Sequence, residues 1–173
     1  MGGPVLSACQ TPHVPLEQWK LTIDDGTNVL RRGSWLSFRE LPAENVTVDV
    51  DCVTRWSRVG TAWEGVSLET LLDAIADDAS SALVRSYGGY TTDLPLEDLM
   101  DGQAWIAVRF DGEDLAPERG GPARLLVSHL YFWKSAKWVR GITLLAHDEP
   151  WFWETRGYRI YGDPWREQRY SGD

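Results

Sequence analysis

The residue of this chain with the clearest capacity for chemistry is Cys52. It ends an alternating apolar run, VTVDVDC, and it precedes a polar segment that contains Trp56. Arg55 and Arg58 follow closely, and neighbouring cations favour the thiolate form of a cysteine. A thiolate at the end of a strand can act as a nucleophile or as a ligand for a soft, redox-active metal. The alternative is a small buried core residue, which is the commoner role of a lone cysteine.

A second segment, GGPARLLVSHLYFWKSAKWVRG, combines small residues with cations. Gly120 and Gly121 allow the backbone to approach a ligand closely, and Arg124 offers a planar donor fork for phosphate. Ser135 and Lys137 add a hydroxyl and an ammonium to the same stretch. The alternative is a solvated basic face over a pair of strands. Together with Cys52, the segment predicts a thiolate beside an anion site, and a redox metal centre is the leading hypothesis.

Other site chemistries have weaker support. The chain has three histidines and two cysteines without a C-x-x-C or H-E-x-x-H spacing, which disfavours zinc. A nucleophilic pair of Cys52 with His129 or His147 stays open, because such partners meet in space rather than in sequence. The sequence has no G-x-S-x-G, P-loop or G-x-G-x-x-G segment, so serine hydrolases, P-loop proteins and dinucleotide-binding proteins are not indicated.

Composition limits the class of protein. A chain of 173 residues fits one domain with a sizeable core, and its net charge of -9 argues against a nucleic-acid partner. There is no apolar run of about 18 residues, so no transmembrane segment is predicted. The first residues lack a basic start and an apolar signal-peptide stretch. The expected location is therefore cytoplasmic, or periplasmic if a leader has been removed.

Hydrophobic periodicity and turn residues predict a mostly β organisation with short helices. Ser67 is placed to cap a helix over residues 68–75, and Asp93 to cap a shorter one that ends near Leu99. Residues 149–173 are aromatic and charged, with too few aliphatic side chains for a core of their own. We therefore expect a single domain over residues 1–173, with this tail wrapping the body. The predicted strands are residues 19–23, 46–50, 105–110, 124–127 and 139–145.

Four long blocks in the same chain carry a resemblance to a known family. They are DCVTRWSRVGTAWEGVSLETLL, GGYTTDLPLEDL, GGPARLLVSHLYFWKSAKWVRGI and FWETRGYRIYGDPWREQRY. From about Pro4 to Tyr170 the chain resembles the molybdopterin-binding catalytic domain of the sulfite oxidase family, in its small bacterial and archaeal form. The resemblance implies an α+β fold of mixed sheets and short helices. It also implies one molybdenum cofactor, Mo-molybdopterin, and two-electron oxygen-atom transfer.

The resemblance assigns roles by position. Cys52 resembles the cysteine that binds molybdenum, and Tyr158 the tyrosine that points at the metal-bound oxygen in sulfite oxidases. Arg55 joins these two as a catalytic candidate because its charge favours the thiolate. Arg124 resembles the arginine that binds the pterin phosphate. The other implied cofactor contacts are Leu6, Ser7, Thr91, Arg119, Ser135, Ala136 and Lys137.

Two departures from the family pattern bear on the substrate. Arg119 stands where the family often has histidine or asparagine, and Ser57 stands where animal sulfite oxidases carry a substrate-binding arginine. The CVTRWS context is nearer to bacterial enzymes that reduce oxidised methionine. The implied substrate is therefore a small oxo-anion, a sulfoxide or an N-oxide, with an electron-transfer partner still to be identified. A molybdopterin-binding subunit that needs a partner protein for turnover is the alternative.

Overall fold

The computed structural model describes residues 11–52, 56–76, 79–128 and 135–145. In these ranges two five-stranded sheets carry two short α-helices. The α-helices are α1 (Trp35–Arg39) and α2 (Leu68–Leu72), and 3-10 turns occur at Leu96–Asp98 and Pro117–Arg119. The strands are β1 (Lys20–Asp24), β2 (Val29–Ser34), β3 (Glu44–Cys52), β4 (Trp56–Ser67), β5 (Ser81–Ser86), β6 (Thr91–Pro95), β7 (Ala104–Phe110), β8 (Glu113–Asp114), β9 (Arg124–Val127) and β10 (Val139–Leu145).

This architecture confirms the predicted α+β class of mixed sheets with short helices. The bounds predicted for β9 and β10 are those observed. The helix predicted over 68–75 ends at Leu72, because Asp73 leaves the helical region at ψ 126°. The Arg31 side chain supplies hydrogen-bond donors that a further helical turn would have supplied, since its guanidinium donates to the carbonyls of Leu71 and Asp73. Carbonyls at a helix end need such external donors.

The helix predicted to begin at Asp93 is wrong. Asp93 lies in β6 opposite Leu83, and only Leu96–Asp98 turns helically. The two threonines at the start of β6 favour a strand, and pairing with β5 satisfies the backbone groups there. The tip of this β5–β6 hairpin lies next to the candidate site.

Sheet A has the strand order β2-β1-β10-β5-β6. Strand β10 runs parallel to β1, with Thr22 opposite Gly141, and antiparallel to β5, with Val139 opposite Ser86. One end of the sheet therefore gathers the starts of β1, β10 and β6 with the end of β5; we call it the proximal end. The opposite end, where β1 and β10 finish, is the distal end.

Sheet B has the order β3-β4-β7-β8, and β9 pairs with β7. The largest cluster of buried apolar side chains draws on both sheets and on both α-helices, for example Leu21, Phe38, Leu68 and Ile106. A second cluster includes Trp63, Trp105 and Phe110 of sheet B. Burial of this apolar surface is the main term that holds the two sheets together.

No helix in the described ranges is both long and apolar enough to cross a membrane. The expected location stays a prediction. The same holds for the single-domain boundary of 1–173, because the tail 149–173 lies outside the described residues.

Candidate active site

Arg124 is the centre of the candidate site. It is the first residue of β9 and its side chain is buried, at 2% exposure. Its two terminal nitrogens donate to the carbonyl oxygens of Arg119 and Ser135, each at 2.8 Å. The guanidinium carbon lies 5.8 Å from the centre of the Trp63 ring. The Arg124 side chain thus connects the segment before β9 with the segment after it, and it lies against Trp63 of sheet B.

Burial lowers the pKa of Arg124 to about 9; nearby Tyr90 opposes this shift, and the Arg119 guanidinium adds to it. The residue therefore remains a cation at neutral pH. Burial of a charge costs free energy, and hydrogen bonds to carbonyl oxygens recover only part of that cost. An anionic group placed beside Arg124 would offset part of that cost. A phosphate suits the planar donor fork.

Residues 135–137 line the same region as a continuous segment. Ser135 is buried and its hydroxyl accepts from the amide of Val127 at 3.0 Å, while the Ala136 carbonyl accepts from the amide of Leu125 at 2.8 Å. The Lys137 ammonium donates to the carbonyl of Glu118 at 2.8 Å. The segment is therefore fixed on β9 along its length, and the lysine points back toward the turn that precedes Arg124.

Gly120 closes this turn in a left-handed conformation, with φ of 100°. A Cβ atom there would lie 2.9 Å from Cγ of Lys137 and 3.1 Å from Cβ of Arg124. A side chain at Gly120 would therefore collide with both cationic residues. The glycine allows the backbone and the two cations to share one small volume, as the sequence predicts for a segment that cradles a ligand.

The tip of the β5–β6 hairpin brings sheet A to this region. The amide of Tyr87 donates to the carbonyl of Trp138 at 2.8 Å, and the amide of Trp138 donates to the carbonyl of Gly120 at 3.1 Å. Tyr90, at the same tip, is close enough to Arg124 to affect its pKa. Thr91 is the first residue of β6 and is half-buried. The hairpin of the predicted residue Thr91 therefore reaches the candidate site mainly through Tyr87 and Tyr90.

Two hydroxyls at the proximal end are a feature that sequence reasoning missed. Ser86 and Thr92 are 3% and 0% exposed, and within residues 11–52, 56–76, 79–128 and 135–145 neither side-chain oxygen has a hydrogen-bond partner. Ser86 lies opposite Val139, whose amide donates to the carbonyl of Ala123, next to Arg124. Buried unpaired hydroxyls are uncommon and call for a ligand or a water molecule. The sequence pattern Y-x₂-Y-T-T places several hydroxyls at the tip of the β5–β6 hairpin. Only the pairing of the strands shows which of these hydroxyls are buried.

Cys52 is the last residue of β3 and lies opposite Trp56, at the end of the long β3–β4 hairpin where the two strands are connected. The structure thus confirms that the cysteine ends a strand and precedes a connection. The described contacts do not join Cys52 to the Arg124 region. They do bring together five predicted residues, which are Arg119, Arg124, Ser135, Ala136 and Lys137. Leu6, Ser7, Arg55 and Tyr158 lie outside the described residues.

Arg119, at which the sequence is expected to depart from the family pattern, lies close to Arg124. Its guanidinium carbon lies 5.6 Å from the centre of the Phe110 ring, and its carbonyl accepts from Arg124. The side chain is therefore directed along sheet B, while the backbone supports the buried arginine. A second cation is thus placed next to Arg124, which raises the local positive charge.

Comparison with known proteins identifies the family. The family model described as "Oxidoreductase molybdopterin binding domain" matches residues 8–153. The chain belongs to this family. It is 36% identical over 176 residues to the uncharacterized oxidoreductase YuiH of Bacillus subtilis (strain 168), covering 98% of this chain and 87% of YuiH. It is 32% identical over 176 residues to the protein-methionine-sulfoxide reductase catalytic subunit MsrP of Gluconobacter oxydans (strain 621H), covering 88% of this chain and 54% of MsrP.

The fold agrees with this assignment. The sulfane dehydrogenase SoxCD of Paracoccus pantotrophus has a crystal structure that matches at a TM-score of 0.74 and 20% identity, over 86% of this chain and 43% of that chain. The present chain thus spans about half of the MsrP sequence and less than half of the SoxCD chain. The resemblance to the molybdopterin-binding domain of the sulfite oxidase family is confirmed, and so is the molybdenum cofactor as the family's prosthetic group.

The residues present fit such a group. A buried cation held by carbonyls, a glycine that leaves room beside two cations, and two unpaired buried hydroxyls together suit an anionic, hydrogen-bonding ligand. A pterin that carries a phosphate has both properties, since its phosphate takes the donor fork and its ring edges take the hydroxyls.

Proposed function

We propose that this oxidoreductase performs two-electron oxygen-atom transfer on a sulfoxide, with the molybdenum cofactor as its redox centre. The observation that carries the proposal is the buried Arg124 guanidinium, held at 2.8 Å by the carbonyls of Arg119 and Ser135. A cation in this setting supports an anion site inside the family's cofactor-binding segment. The family and its cofactor supply the reaction class.

We assign the cofactor contacts as follows. Arg124 binds the phosphate through its donor fork, and Lys137 adds a second charge from the neighbouring segment. The backbone of Ser135 and Ala136 keeps that segment on β9. Ser86 and Thr92 are added to the predicted residues because their hydroxyls are buried and unpaired. Thr91, Leu6 and Ser7 keep the roles that the resemblance gives them.

Cys52 is proposed as the metal ligand because a thiolate suits a soft, redox-active metal. When bound, the cofactor supplies a centre that accepts or donates two electrons and exchanges an oxygen atom. Arg55 favours the thiolate by its charge. With the cofactor bound, the Tyr158 hydroxyl would donate a hydrogen bond toward the substrate and would stabilise negative charge there. The role of Arg55 rests on its charge and its closeness to Cys52 in the sequence, and the role of Tyr158 rests on the resemblance.

The overall reaction balances as one sulfoxide plus two electrons and two protons giving one thioether and one water. We favour a neutral sulfoxide over sulfite because Ser57 replaces an arginine that binds an anionic substrate. The relative MsrP, named as a methionine-sulfoxide reductase catalytic subunit, agrees with this direction. A hydroxyl in place of a guanidinium removes a charged contact of about 1.5–3 kcal/mol for an anion. A neutral sulfoxide does not need that contact.

The proposal is tested by metal content and dye-linked turnover. Protein from a host that makes the cofactor should carry about one molybdenum per chain, because one thiolate serves one site. With reduced methyl viologen as electron donor it should reduce methyl sulfoxides and should oxidise sulfite poorly. Cys52→Ser should lose molybdenum and turnover while circular dichroism stays unchanged.

Three outcomes would count against the proposal. Zinc or an empty site in the wild-type protein would exclude the cofactor, and full metal content in Cys52→Ser would exclude Cys52 as ligand. Stoichiometric molybdenum without turnover on sulfoxides, N-oxides or sulfite would favour the alternative, a molybdopterin-binding subunit that needs a partner protein.

A further inference from the structure

The turn that precedes β9, over residues 117–120, is held in place through its backbone carbonyls. Two of the four carbonyl oxygens accept hydrogen bonds from the side chains of Arg124 and Lys137, each at 2.8 Å. Both side chains are assigned above to the cofactor. The other two carbonyl oxygens accept from Trp138, which has no assigned role. The position of this turn therefore depends on Trp138 as well as on the two cations.

Trp138 donates to the turn from its side chain and from its backbone. The indole Nε1 donates to the carbonyl of Pro117 at 2.6 Å, and the amide donates to the carbonyl of Gly120 at 3.1 Å. The carbonyl of Trp138 accepts from the amide of Tyr87 at 2.8 Å. Trp138 thus connects this turn with the tip of the β5–β6 hairpin, and it directly follows the cofactor segment 135–137.

The backbone of Trp138 is left-handed, with φ of 53°. A side chain with a Cβ atom rarely adopts this conformation, and a bulky residue does so only where the surrounding contacts enforce it. In an extended strand the N–H and C=O of one residue point toward the same neighbouring strand. Those of Trp138 instead point toward two partners, Gly120 and Tyr87. The left-handed conformation fits this arrangement, so the strain lies at the residue that joins the turn to the hairpin tip.

The Trp138 ring also lies against the side chain of Lys137. The Lys137 ammonium is 5.6 Å from the ring centre while it donates to the carbonyl of Glu118. An ammonium near an indole face is stabilised by the electrons of the ring. The pairing limits the rotamers of a long side chain, and less freedom is then lost when an anion binds. Trp138 therefore acts on both the backbone and the charge of the candidate anion site.

Trp138 contributes less to the apolar core than its burial suggests. It is 3% exposed, yet it belongs to neither of the two apolar clusters formed by the described residues. Its indole contacts a backbone carbonyl and a cation instead. A loss of these contacts should therefore affect the candidate site before it affects the packing of the two sheets.

We propose that Trp138 is a positioning residue for the anionic part of the cofactor. It holds the turn 117–120 against the segment 135–137, and so keeps Arg124 and Lys137 side by side for one anionic group. The inference rests on the proposed function, and it adds to that function a residue that acts through the two cations. Loss of the Trp138 contacts should speed release of the cofactor more than it weakens the fold.

The test follows release of the pterin from the purified holoprotein during dialysis, by pterin fluorescence and metal analysis. Trp138→Phe keeps a ring beside the Lys137 ammonium and removes the donor to Pro117. Release should become about three- to tenfold faster, the factor that corresponds to one neutral hydrogen bond. Trp138→Ala also removes the ring and should speed release further.

Trp138→Gly separates the role of the backbone from that of the ring. Glycine adopts a φ of 53° without strain, whereas alanine does not. The glycine variant should therefore retain the cofactor better than Trp138→Ala, although glycine is the more destabilising of the two in helices and strands. Slower release from the alanine variant would overturn the role of the left-handed backbone.

Trp19→Phe is the matched control. Trp19 is fully buried, and its Nε1 donates to the carbonyl of Val139 at 3.0 Å. The substitution therefore removes the same kind of hydrogen bond as Trp138→Phe does. It should lower the urea midpoint of the apo-protein at least as much, and it should leave pterin release within twofold of the wild type.

A double variant separates positioning from a general structural role. Because Trp138 is proposed to act through the neighbouring cation, Trp138→Phe should speed release by a smaller factor in a Lys137→Met background than in the wild type. Equal factors in the two backgrounds would mean that the two residues act independently, and would overturn the inference.

Two further results would also overturn it. One is unchanged release in both Trp138→Phe and Trp138→Ala, and the other is an equal increase in Trp19→Phe and Trp138→Phe. Wild-type protein without pterin and molybdenum, from a host that makes the cofactor, would instead reject the proposed function itself, which separates the two failures.

Discussion

Two arginine-rich regions that lie on sheet B differ in which groups their guanidinium side chains contact. Arg39 and Arg109 both reach Glu64, at 3.2 Å and 3.5 Å, and Arg109 also reaches Asp114 at 2.9 Å. Arg124 is more deeply buried, and its terminal nitrogens donate to carbonyl oxygens of Arg119 and Ser135. The Glu64 cluster is neutralised within the chain and fixes α1 and β7 to β4. The Arg124 side chain instead donates to backbone carbonyls and ties β9 to its neighbouring segments.

The difference predicts that the arginines of the Glu64 cluster are structural, whereas Arg124 is proposed to serve a ligand. A partly exposed ion pair contributes little to stability, because water and salt screen it. Desolvation of a buried cation costs free energy, and an anionic ligand beside it would offset part of that cost. Removal of charge from the Arg124 region should therefore lower the cofactor content. Removal of charge from the Glu64 cluster should instead lower the free energy of unfolding.

The largest expected effect is that of Arg124 on cofactor content. Arg124→Met should lower molybdenum and pterin content about ten- to hundredfold, because a charge-assisted hydrogen bond contributes about 1.5–3 kcal/mol. Arg124→Lys keeps the charge without the fork and should give an intermediate loss. Content is measured by metal analysis and pterin fluorescence after dialysis, with circular dichroism to check the fold.

Arg109→Met is the matched control for Arg124, since it removes an arginine from the same sheet. Its cofactor content should equal that of the wild type. If both variants retain the cofactor equally, the Arg124 region is a solvated basic face and the contrast between the two regions disappears.

A smaller effect of mixed sign is expected at the two unpaired hydroxyls. Ser86→Ala and Thr92→Val remove a buried polar atom that costs about 1–3 kcal/mol when unsatisfied. The apo-protein should therefore become more stable in urea, while cofactor retention during dialysis should fall severalfold. A buried serine at the other end of β5, Ser81, provides the control, because Ser81→Ala should not affect retention. Greater apo stability with unchanged retention would show that the hydroxyls serve no ligand.

The smallest effect is expected in the Glu64 cluster. Glu64 is 20% exposed, and Glu64→Gln should lower the free energy of unfolding by about 1 kcal/mol or less. The loss should shrink in high salt, because salt already screens the pairs in the wild type. Urea unfolding at two salt concentrations measures it. A fall in cofactor content in this variant would mean that the cluster belongs to the site.

The prediction of the site was strongest where the signal is local. Cys52 ends a strand as predicted, and residues 124–127 and 139–145 are strands with the predicted bounds. Gly120 has the conformational freedom that its position demands. Alternation, turn residues and small residues act over a few positions, so they can be interpreted without knowing the fold.

The sequence by itself determined the residue types of the candidate molybdenum-cofactor site, their order, and the elements that carry most of them. Only the tertiary structure decided the environment of these residues. It pairs Thr22 with Gly141 across 119 positions and so creates a proximal end that joins β1, β5, β6 and β10. It converts the helix expected at Asp93 into a strand and buries the hydroxyls of Ser86 and Thr92. Burial and long-range pairing depend on all the elements packing at once, which no local pattern records.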